Sequence, residues 1–281
     1  MGRAENVLVF QDTERLCKNI DRLKNAVKNS TSGQILYLES DFLPYTENNL
    51  YNEAARVTVS KKRSLEAAKS YIGCKVAVHN FASATNPGGG VVNGSSAQEE
   101  CLCRCSGLYF SLNTPAMWDG FYLPHRNAHD PLHNDDIIYT PGVTVFKTDT
   151  ANPTLMSEDS WYEVDIITCA APNLREKPGN SYNSGDGSAG AIISDEALLE
   201  LHKNRLSRIL DVAIMNGRDT VILGAFGCGA FKNDPEVVAL AAKNVIRDYI
   251  HAFKNIEFAV YCAPHDERNF KIFERVLKEY C

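Results

Sequence analysis

The second half of the chain alternates between short apolar runs and longer segments with helical periodicity. The apolar runs have the length of buried strands and lie at 164–169, 220–223 and 256–262. Ser194 is predicted to cap a helix that extends to about Met215, and Asp234 followed by Pro235 predicts another helix start. A last helix is expected to bury Phe270, Phe273, Leu277 and Tyr280. Strands that alternate with helices predict a parallel or mixed sheet with helices on both faces.

The first half is less regular. Asn6 to Phe10 (NVLVF) predicts a short strand, and Asp12 or Thr13 is expected to cap a helix that buries Leu16, Ile20, Leu23 and Val27. We also predict strands at 34–38 and 75–81, a helix at 64–71, and strand pieces within 137–147 that Pro141 and Gly142 interrupt. No linker or repeat divides the chain. We therefore predict one domain over 1–281, with N-terminal accessory elements over 1–72 and a core over 73–281.

Composition and charge narrow the function classes. Of the 281 residues, 44% are hydrophobic and 23% are charged, as in ordinary soluble proteins. No apolar run reaches the roughly 18 residues of a membrane helix, and nine cysteines without a scaffold-like spacing indicate reduced thiols, so we expect a cytoplasmic protein without membrane contact. The net charge is -6 and no basic cluster exceeds Lys61-Lys62-Arg63, which argues against duplex nucleic acid as a partner. An anionic ligand would have to be held by backbone amides and helix ends.

Two groups of potential metal ligands have unsuitable spacing. The cysteines at 101, 103 and 105 alternate, which does not match the C-x2-C spacing of zinc sites. Histidines recur every fourth residue at 125, 129 and 133, but nearby prolines interrupt a continuous helix, so a surface loop with solvated histidines is expected. We predict no metal and no cofactor. The segment 171–190 is rich in Gly, Ser, Asn and Pro and predicts a mobile loop, with a lid as the alternative.

Two glycine loops follow buried strands. The first glycine loop (88–90) comes after the strand at 75–81, and the second glycine loop (224–231) comes after the strand at 220–223 and precedes the helix start at Asp234. Such a strand, loop and helix N-terminus can bind phosphate through backbone N–H groups, although a tight turn would use the same glycines. Because ligands of open α/β sheets lie beyond the carboxyl ends of the strands, both loops are expected to face one cleft.

A polar triplet with two acids, Gln98-Glu99-Glu100, follows the first glycine loop after a gap of seven residues. Ser95 or Ser96 is predicted to cap a helix that starts near Ala97, which would put the triplet in the first turn. Carboxylates are favoured there by the helix dipole, so capping alone is the alternative role. Adjacent helical residues point about 100° apart, so one glutamate would do chemistry and the other would orient.

The combination of GGG, a seven-residue gap and QEE resembles the signature of poly(ADP-ribose) glycohydrolases. The flanking NFASATNPGGG and EECLCRCSGLY look like the bacterial-type branch. The resemblance implies a three-layer, macrodomain-like α/β fold, with a mixed central sheet flanked by helices and an N-terminal extension. It also implies hydrolysis of ribose–ribose O-glycosidic bonds, with poly(ADP-ribose) or ADP-ribose as ligand and ADP-ribosylated proteins as partners.

The same resemblance implies a role for each site residue. Glu100 would be the acid and base, Glu99 would hold a ribose hydroxyl, and Gln98 would position the pair. The distal ribose and neighbouring phosphate would contact Gly88, Gly89, Gly90 and Val91, with Asn86 or, as the alternative, Ser83 as a further ribose contact. The diphosphate would contact Gly227, Cys228, Gly229, Ala230 and Phe231, with Phe231 near the ribose or adenine. The adenine pocket stays unassigned, with 169–173 as one candidate.

Three alternatives remain from the sequence. A non-catalytic ADP-ribose reader would need both glycine loops but not the acidic pair. A hydrolase of mono-ADP-ribosylated side chains could use the same loops and a single acid, so the sequence separates it poorly. A nucleotide phosphatase is disfavoured because no metal set is evident.

Overall fold

A computed structural model describes residues 2–44, 46–179, 185–263 and 265–281. Its centre is a seven-stranded mixed sheet with the strand order β1-β4-β5-β3-β6-β7-β2. The strands are β1 (Ile35–Tyr37), β2 (Arg56–Ser60), β3 (Val76–Ala82), β4 (Ile137–Val145), β5 (Tyr162–Ala170), β6 (Thr220–Leu223) and β7 (Asn255–Ala259). The pairs β1–β4 and β4–β5 are antiparallel, and the other neighbours are parallel. The carboxyl ends of β5, β3, β6, β7 and β2 therefore lie at one edge.

Helices cover both faces of the sheet. The helices are α1 (Arg3–Asn19), α2 (Asp21–Ser32), α3 (Ser64–Lys69), α4 (Gln98–Cys105), α5 (Leu108–Leu112), α6 (Pro115–Met117), α7 (Leu123–Ala128), α8 (Asp195–Met215), α9 (Pro235–Tyr249) and α10 (Arg268–Val276). One buried cluster joins the sheet to α8, α9 and α10, and a second joins it to α1 through α5. The predicted three-layer α/β arrangement is confirmed.

Where capping and apolar pattern agree, the predicted elements are confirmed. Ser194 Oγ accepts the N–H of Ala197 at the start of α8, and Asp234 caps α9 with Pro235 in its first turn. The predicted strand at 220–223 is β6. A register shift between Thr140 and Val143 interrupts β4 where Pro141 and Gly142 were expected to break it.

The N-terminal predictions were partly wrong. Asn6 to Phe10 is not a strand but part of α1, because Asn6, Phe10, Thr13 and Cys17 recur at helical spacing and are all buried. The helix predicted to run past Ile20 is broken there by extended backbone, and α2 starts at the next residue. The edge strand β2 was missed in a stretch of mixed composition, although it pairs with β7 over its whole length.

The segment after α5 is also more ordered than predicted. It forms α6, a π-helical turn at Trp118–Tyr122 and α7. His125 and His133 are buried rather than solvated, since His125 contacts Phe121 O and Asn134, and His133 contacts Ala171 O. In the predicted loop over 171–190, the described residues form neither helix nor strand, and 180–184 lie outside the described residues. No helix in the described part of the chain is long and apolar enough to span a membrane.

Candidate active site

A cleft of about 730 Å³ lies at the carboxyl edge of the sheet. The first glycine loop, the start of α4 and the second glycine loop all contribute to its lining. The two loops follow β3 and β6, which are paired neighbours in the sheet, so the prediction that both face one cleft is confirmed. The predicted site residues that line the cleft directly are Gly89, Gly90, Gln98, Glu99, Glu100, Gly227, Gly229, Ala230 and Phe231.

The first glycine loop brings backbone against both glutamates. Gly89 has φ +57°, and a Cβ at this position would lie 2.7 Å from Glu100 Oε1 and 3.1 Å from Glu99 Oε2. The side chains of these adjacent helical residues therefore converge on one glycine. We expected them to point apart, because adjacent helical residues differ by about 100° in direction. Only a residue without a side chain fits this position.

Gln98 anchors the start of α4 to β3. Its Nε2 donates to His79 O at 2.7 Å and to Ser64 Oγ at 3.0 Å, and its Oε1 accepts the Phe81 N–H at 2.9 Å. Ala97, not Ser95 or Ser96, precedes the helix, and no side chain caps it, so the predicted serine cap was wrong. The amide of Gln98 instead fixes the first turn by pairing with strand backbone.

We expect Gln98→Ala to lower the free energy of unfolding by about 1–2 kcal/mol, because His79 O and the Phe81 N–H lose their partner at a partly buried position. Urea denaturation measures this change. Gln11→Ala, on the exposed face of α1, is the matched control and should stay within about 0.5 kcal/mol of the parent. Equal stability of the two variants would contradict the anchoring role.

Glu99 is fixed by neighbours on both carboxyl oxygens. Asn80 Nδ2 donates to Oε1 at 3.3 Å and the Ser83 N–H donates to Oε2 at 2.8 Å. The side chain is only 3% exposed. Burial, with a smaller contribution from the neighbouring Glu100, raises the pKa of Glu99 to about 8. The carboxyl group is therefore rigid and holds a proton more tightly than an exposed glutamate does.

Glu100 is held on one oxygen only. Oε1 accepts the Gly90 N–H at 2.9 Å, whereas Oε2 has no hydrogen-bond partner among the described residues. The residue is 7% exposed, and burial raises the pKa of its carboxyl group. Glu100 thus presents a buried carboxyl oxygen with an elevated proton affinity in the cleft, which is the property that a general acid requires.

The second glycine loop is shaped by a close contact. Gly227 has φ +76°, and a Cβ there would lie 2.6 Å from Asn233 Nδ2 and 2.8 Å from Ala171 Cβ. Gly229 has open space around it. Phe231 lines the cleft, and the Arg175 guanidinium carbon lies 5.9 Å from the centre of its ring.

Four predicted contact residues are not among the described residues that line the cleft. Val91 is fully buried, and a Cβ at Gly88 would meet Tyr109 and Cys103 rather than the cleft. Asn86 accepts a hydrogen bond from Arg126 and donates one to Thr85 Oγ1, while Cys228 contacts Phe226 O. Gly88 and Val91 are buried, whereas Asn86 and Cys228 are partly buried and contact residues of their own loops. The candidate adenine segment 169–173 contributes Ala171 to the cleft lining.

Three arginines that no sequence motif groups together also line the cleft: Arg3, Arg63 and Arg175. They come from α1, from the turn after β2 and from the segment after β5, and only Arg63 belongs to a basic cluster in the sequence. The expectation that an anion would meet only backbone amides and helix ends was therefore incomplete. Recognition of β2 could have placed Arg63 at the binding edge of the sheet. Among the described residues, no group of three His, Cys, Asp or Glu side chains could hold a metal ion.

Comparisons with known proteins agree with this geometry. Residues 6–148 match the family model described as the catalytic domain of microbial-type PARG. The structure of poly(ADP-ribose) glycohydrolase from Thermomonospora curvata aligns with a TM-score of 0.84 and 29% identity, covering 98% of this chain and 100% of that chain. The same enzyme bound to the inhibitor ADP-HPD aligns with a TM-score of 0.81 and 30% identity, covering 97% and 99%.

The Deinococcus radiodurans enzyme in complex with ADP-ribose aligns with a TM-score of 0.76 and 30% identity, covering 91% of this chain and 98% of that chain. No curated protein sequence matches. The predicted macrodomain-like fold is confirmed by these structural likenesses. Since the family model spans half of the chain and structures with 30% identity cover nearly all of it, the chain belongs to the microbial-type poly(ADP-ribose) glycohydrolases.

Proposed function

We propose that this protein hydrolyses the ribose–ribose O-glycosidic bonds of poly(ADP-ribose) and releases ADP-ribose, with Glu100 as the acid and base. The observation that carries the proposal is the geometry of Glu100, whose Oε2 is buried and unpartnered among the described residues in a cleft between two glycine loops. Structurally similar poly(ADP-ribose) glycohydrolases bind ADP-HPD or ADP-ribose.

Glu100 can perform both proton transfers. Its protonated Oε2 donates to the departing 2′ oxygen while the bond from that oxygen to the anomeric carbon breaks. The ribose then has oxocarbenium-ion character. Water attacks the anomeric carbon, and the Glu100 carboxylate takes a proton from this water. The carboxyl group regains its proton in this step, so the cycle needs no cofactor. The Gly90 N–H on Oε1 keeps the reacting oxygen in place.

The other site residues bind and orient the substrate. Glu99, fixed by Asn80 and Ser83, holds a hydroxyl of the distal ribose beside Gly89. Backbone N–H groups of the second glycine loop, at the N-terminal side of α9, hold the diphosphate. Arg175 and Phe231 close this side of the cleft, where their charge and ring face suit a phosphate and a ribose or adenine.

The substrate class is tested by release of free ADP-ribose, quantified by chromatography. Poly(ADP-ribose) and a mono-ADP-ribosylated protein are offered in parallel. We expect release from poly(ADP-ribose). Release from the mono-ADP-ribosylated protein alone would replace the proposal by a mono-ADP-ribosyl hydrolase. Binding of ADP-ribose without release from either substrate would make the protein a reader.

The pH dependence of kcat/KM should show a descending alkaline limb. The acid must be protonated to react, and burial raises the pKa of Glu100, so the active form persists above the ordinary value of 4.5 and is lost as pH rises through the raised pKa. Initial rates between about pH 5 and about pH 10, with circular dichroism to verify folding, measure this limb. A rate that increases steadily across this whole range would contradict a protonated Glu100.

We also propose that the protein acts in the cytoplasm on ADP-ribosylated proteins. Nine cysteines without a disulfide-scaffold spacing support an intracellular location. Attached poly(ADP-ribose) would present its terminal ADP-ribose to the cleft.

A further inference from the structure

The Asn233 side chain forms hydrogen bonds that connect several parts of the second glycine loop. Its side-chain Nδ2 lies 2.7 Å from Pro172 O, 3.2 Å from Gly227 O and 3.4 Å from Phe231 O. Its backbone N–H also donates to Gly227 O at 3.1 Å. Asn233 itself is 2% exposed and does not line the cleft. One buried amide thus ties both ends of the cleft-lining part of the loop to each other and to the segment after β5.

The loop needs this support because its backbone is unusual. Gly227 has φ +76°, and Lys232 has φ +63°, a left-handed conformation that residues with a side chain rarely adopt. Gly227 begins the cleft-lining stretch and Lys232 follows its end, and Asn233 bonds to the carbonyl oxygens of Gly227 and of Phe231, the residue before Lys232. The missing Cβ at Gly227 is what lets Asn233 Nδ2 approach, since a Cβ would lie only 2.6 Å from it.

His202 sets the orientation of the Asn233 amide. His202 lies on α8, is 2% exposed, and places Nε2 2.8 Å from Asn233 Oδ1. Because three carbonyl oxygens surround the other end of the amide, that end must be the NH₂ group, and Oδ1 must accept a hydrogen bond from His202 Nε2–H. The imidazole ring also packs edge-on against Phe226 of the second glycine loop, with 5.8 Å between ring centres.

We infer that Asn233, oriented by His202, is a positioning residue that holds the second glycine loop in its ligand-binding conformation. The inference rests on the proposed function, in which this loop binds the diphosphate. Neither side chain touches substrate. Both act by fixing backbone N–H groups, so their loss should weaken ground-state binding of ADP-ribose while Glu100, held by Gly90 of the first glycine loop, keeps its geometry.

The test compares a disruptive and a conservative change at His202. In His202→Leu, Asn233 Oδ1 loses its buried donor and the amide is free to turn over. In His202→Gln, the side-chain amide can still donate to Oδ1. We expect His202→Leu to raise Kd for ADP-ribose and KM at least about tenfold with kcat within about threefold of the parent, and His202→Gln to restore most of the affinity. Calorimetry with ADP-ribose and initial rates on poly(ADP-ribose) measure both.

Asn233→Asp provides an independent variant, since it puts a carboxylate oxygen against the three carbonyls and leaves the contact with His202 intact. A larger loss of ADP-ribose affinity than in His202→Leu is expected. Parent-like Kd and KM in folded His202→Leu, or equal losses in His202→Leu and His202→Gln, would overturn the inference. If the unmodified protein itself neither binds ADP-ribose nor releases it, the proposed function fails instead, which is a distinguishable result.

Discussion

Replacement of Glu100 by Gln is expected to lower kcat for ADP-ribose release by a factor of about 10²–10⁴, the range that a positioned proton donor contributes. The change is nearly isosteric. The introduced amide oxygen can still accept the Gly90 N–H, and the introduced NH₂ group takes the place of Glu100 Oε2, which has no partner among the described residues. Binding of ADP-ribose should therefore stay within about threefold of the parent.

The fold of Glu100→Gln should be as stable as the parent, and more so in alkali. The pKa of Glu100 is raised by folding, so the unmodified protein loses stability as pH rises from the ordinary value of 4.5 through the folded value, while the amide does not ionise. Melting temperatures at about pH 6 and about pH 9 measure the difference. Glu53→Gln, an exposed glutamate before β2, is the matched control and should retain parent activity.

A comparable loss is expected from Gly89→Ala, whose kcat/KM should fall about 100-fold, the effect of displacing reacting groups by about 1 Å. The new Cβ would lie 2.7 Å from Glu100 Oε1 and 3.1 Å from Glu99 Oε2, so one or both carboxyl groups must move. The left-handed backbone at Gly89 adds a cost in stability of about 1–2 kcal/mol.

Gly217→Ala separates these two effects. Gly217 also has positive φ, at +67°, but no atom lies within 4 Å of its added Cβ. The two variants should lose similar stability in urea denaturation, and only Gly89→Ala should lose activity. Similar activity losses in both variants would show that backbone strain, not contact with the glutamates, is responsible.

The sequence reveals a site well when its residues are close together and their types are unusual. The glycine loops, the QEE triplet and the helix start at Asp234 with Pro235 each combine residues that have few other uses, and each lies at the predicted place in the fold. The convergence of Glu99 and Glu100 on Gly89 was less predictable, because it depends on how α4 packs against β3 through Gln98.

Residues that reach the site through the fold were missed. Arg3 lies on α1 and Arg63 lies after β2, and those are the elements that local pattern predicted wrongly or not at all. The apolar run NVLVF has high strand propensity, but it forms a helix because Asn6, Phe10, Thr13 and Cys17 are buried along one helical face. Likewise, Asn233 and His202 are 31 residues apart and carry no motif, so only their buried hydrogen bond shows their connection.

We propose the Glu100 carboxyl group as the acid and base of a poly(ADP-ribose) glycohydrolase. The most direct measurement is chromatographic release of ADP-ribose from poly(ADP-ribose) by the unmodified protein and by Glu100→Gln, with the Kd for ADP-ribose determined on the same preparations. We predict release by the unmodified protein alone and a similar Kd for both. Release by both proteins at similar rates would contradict the role of Glu100.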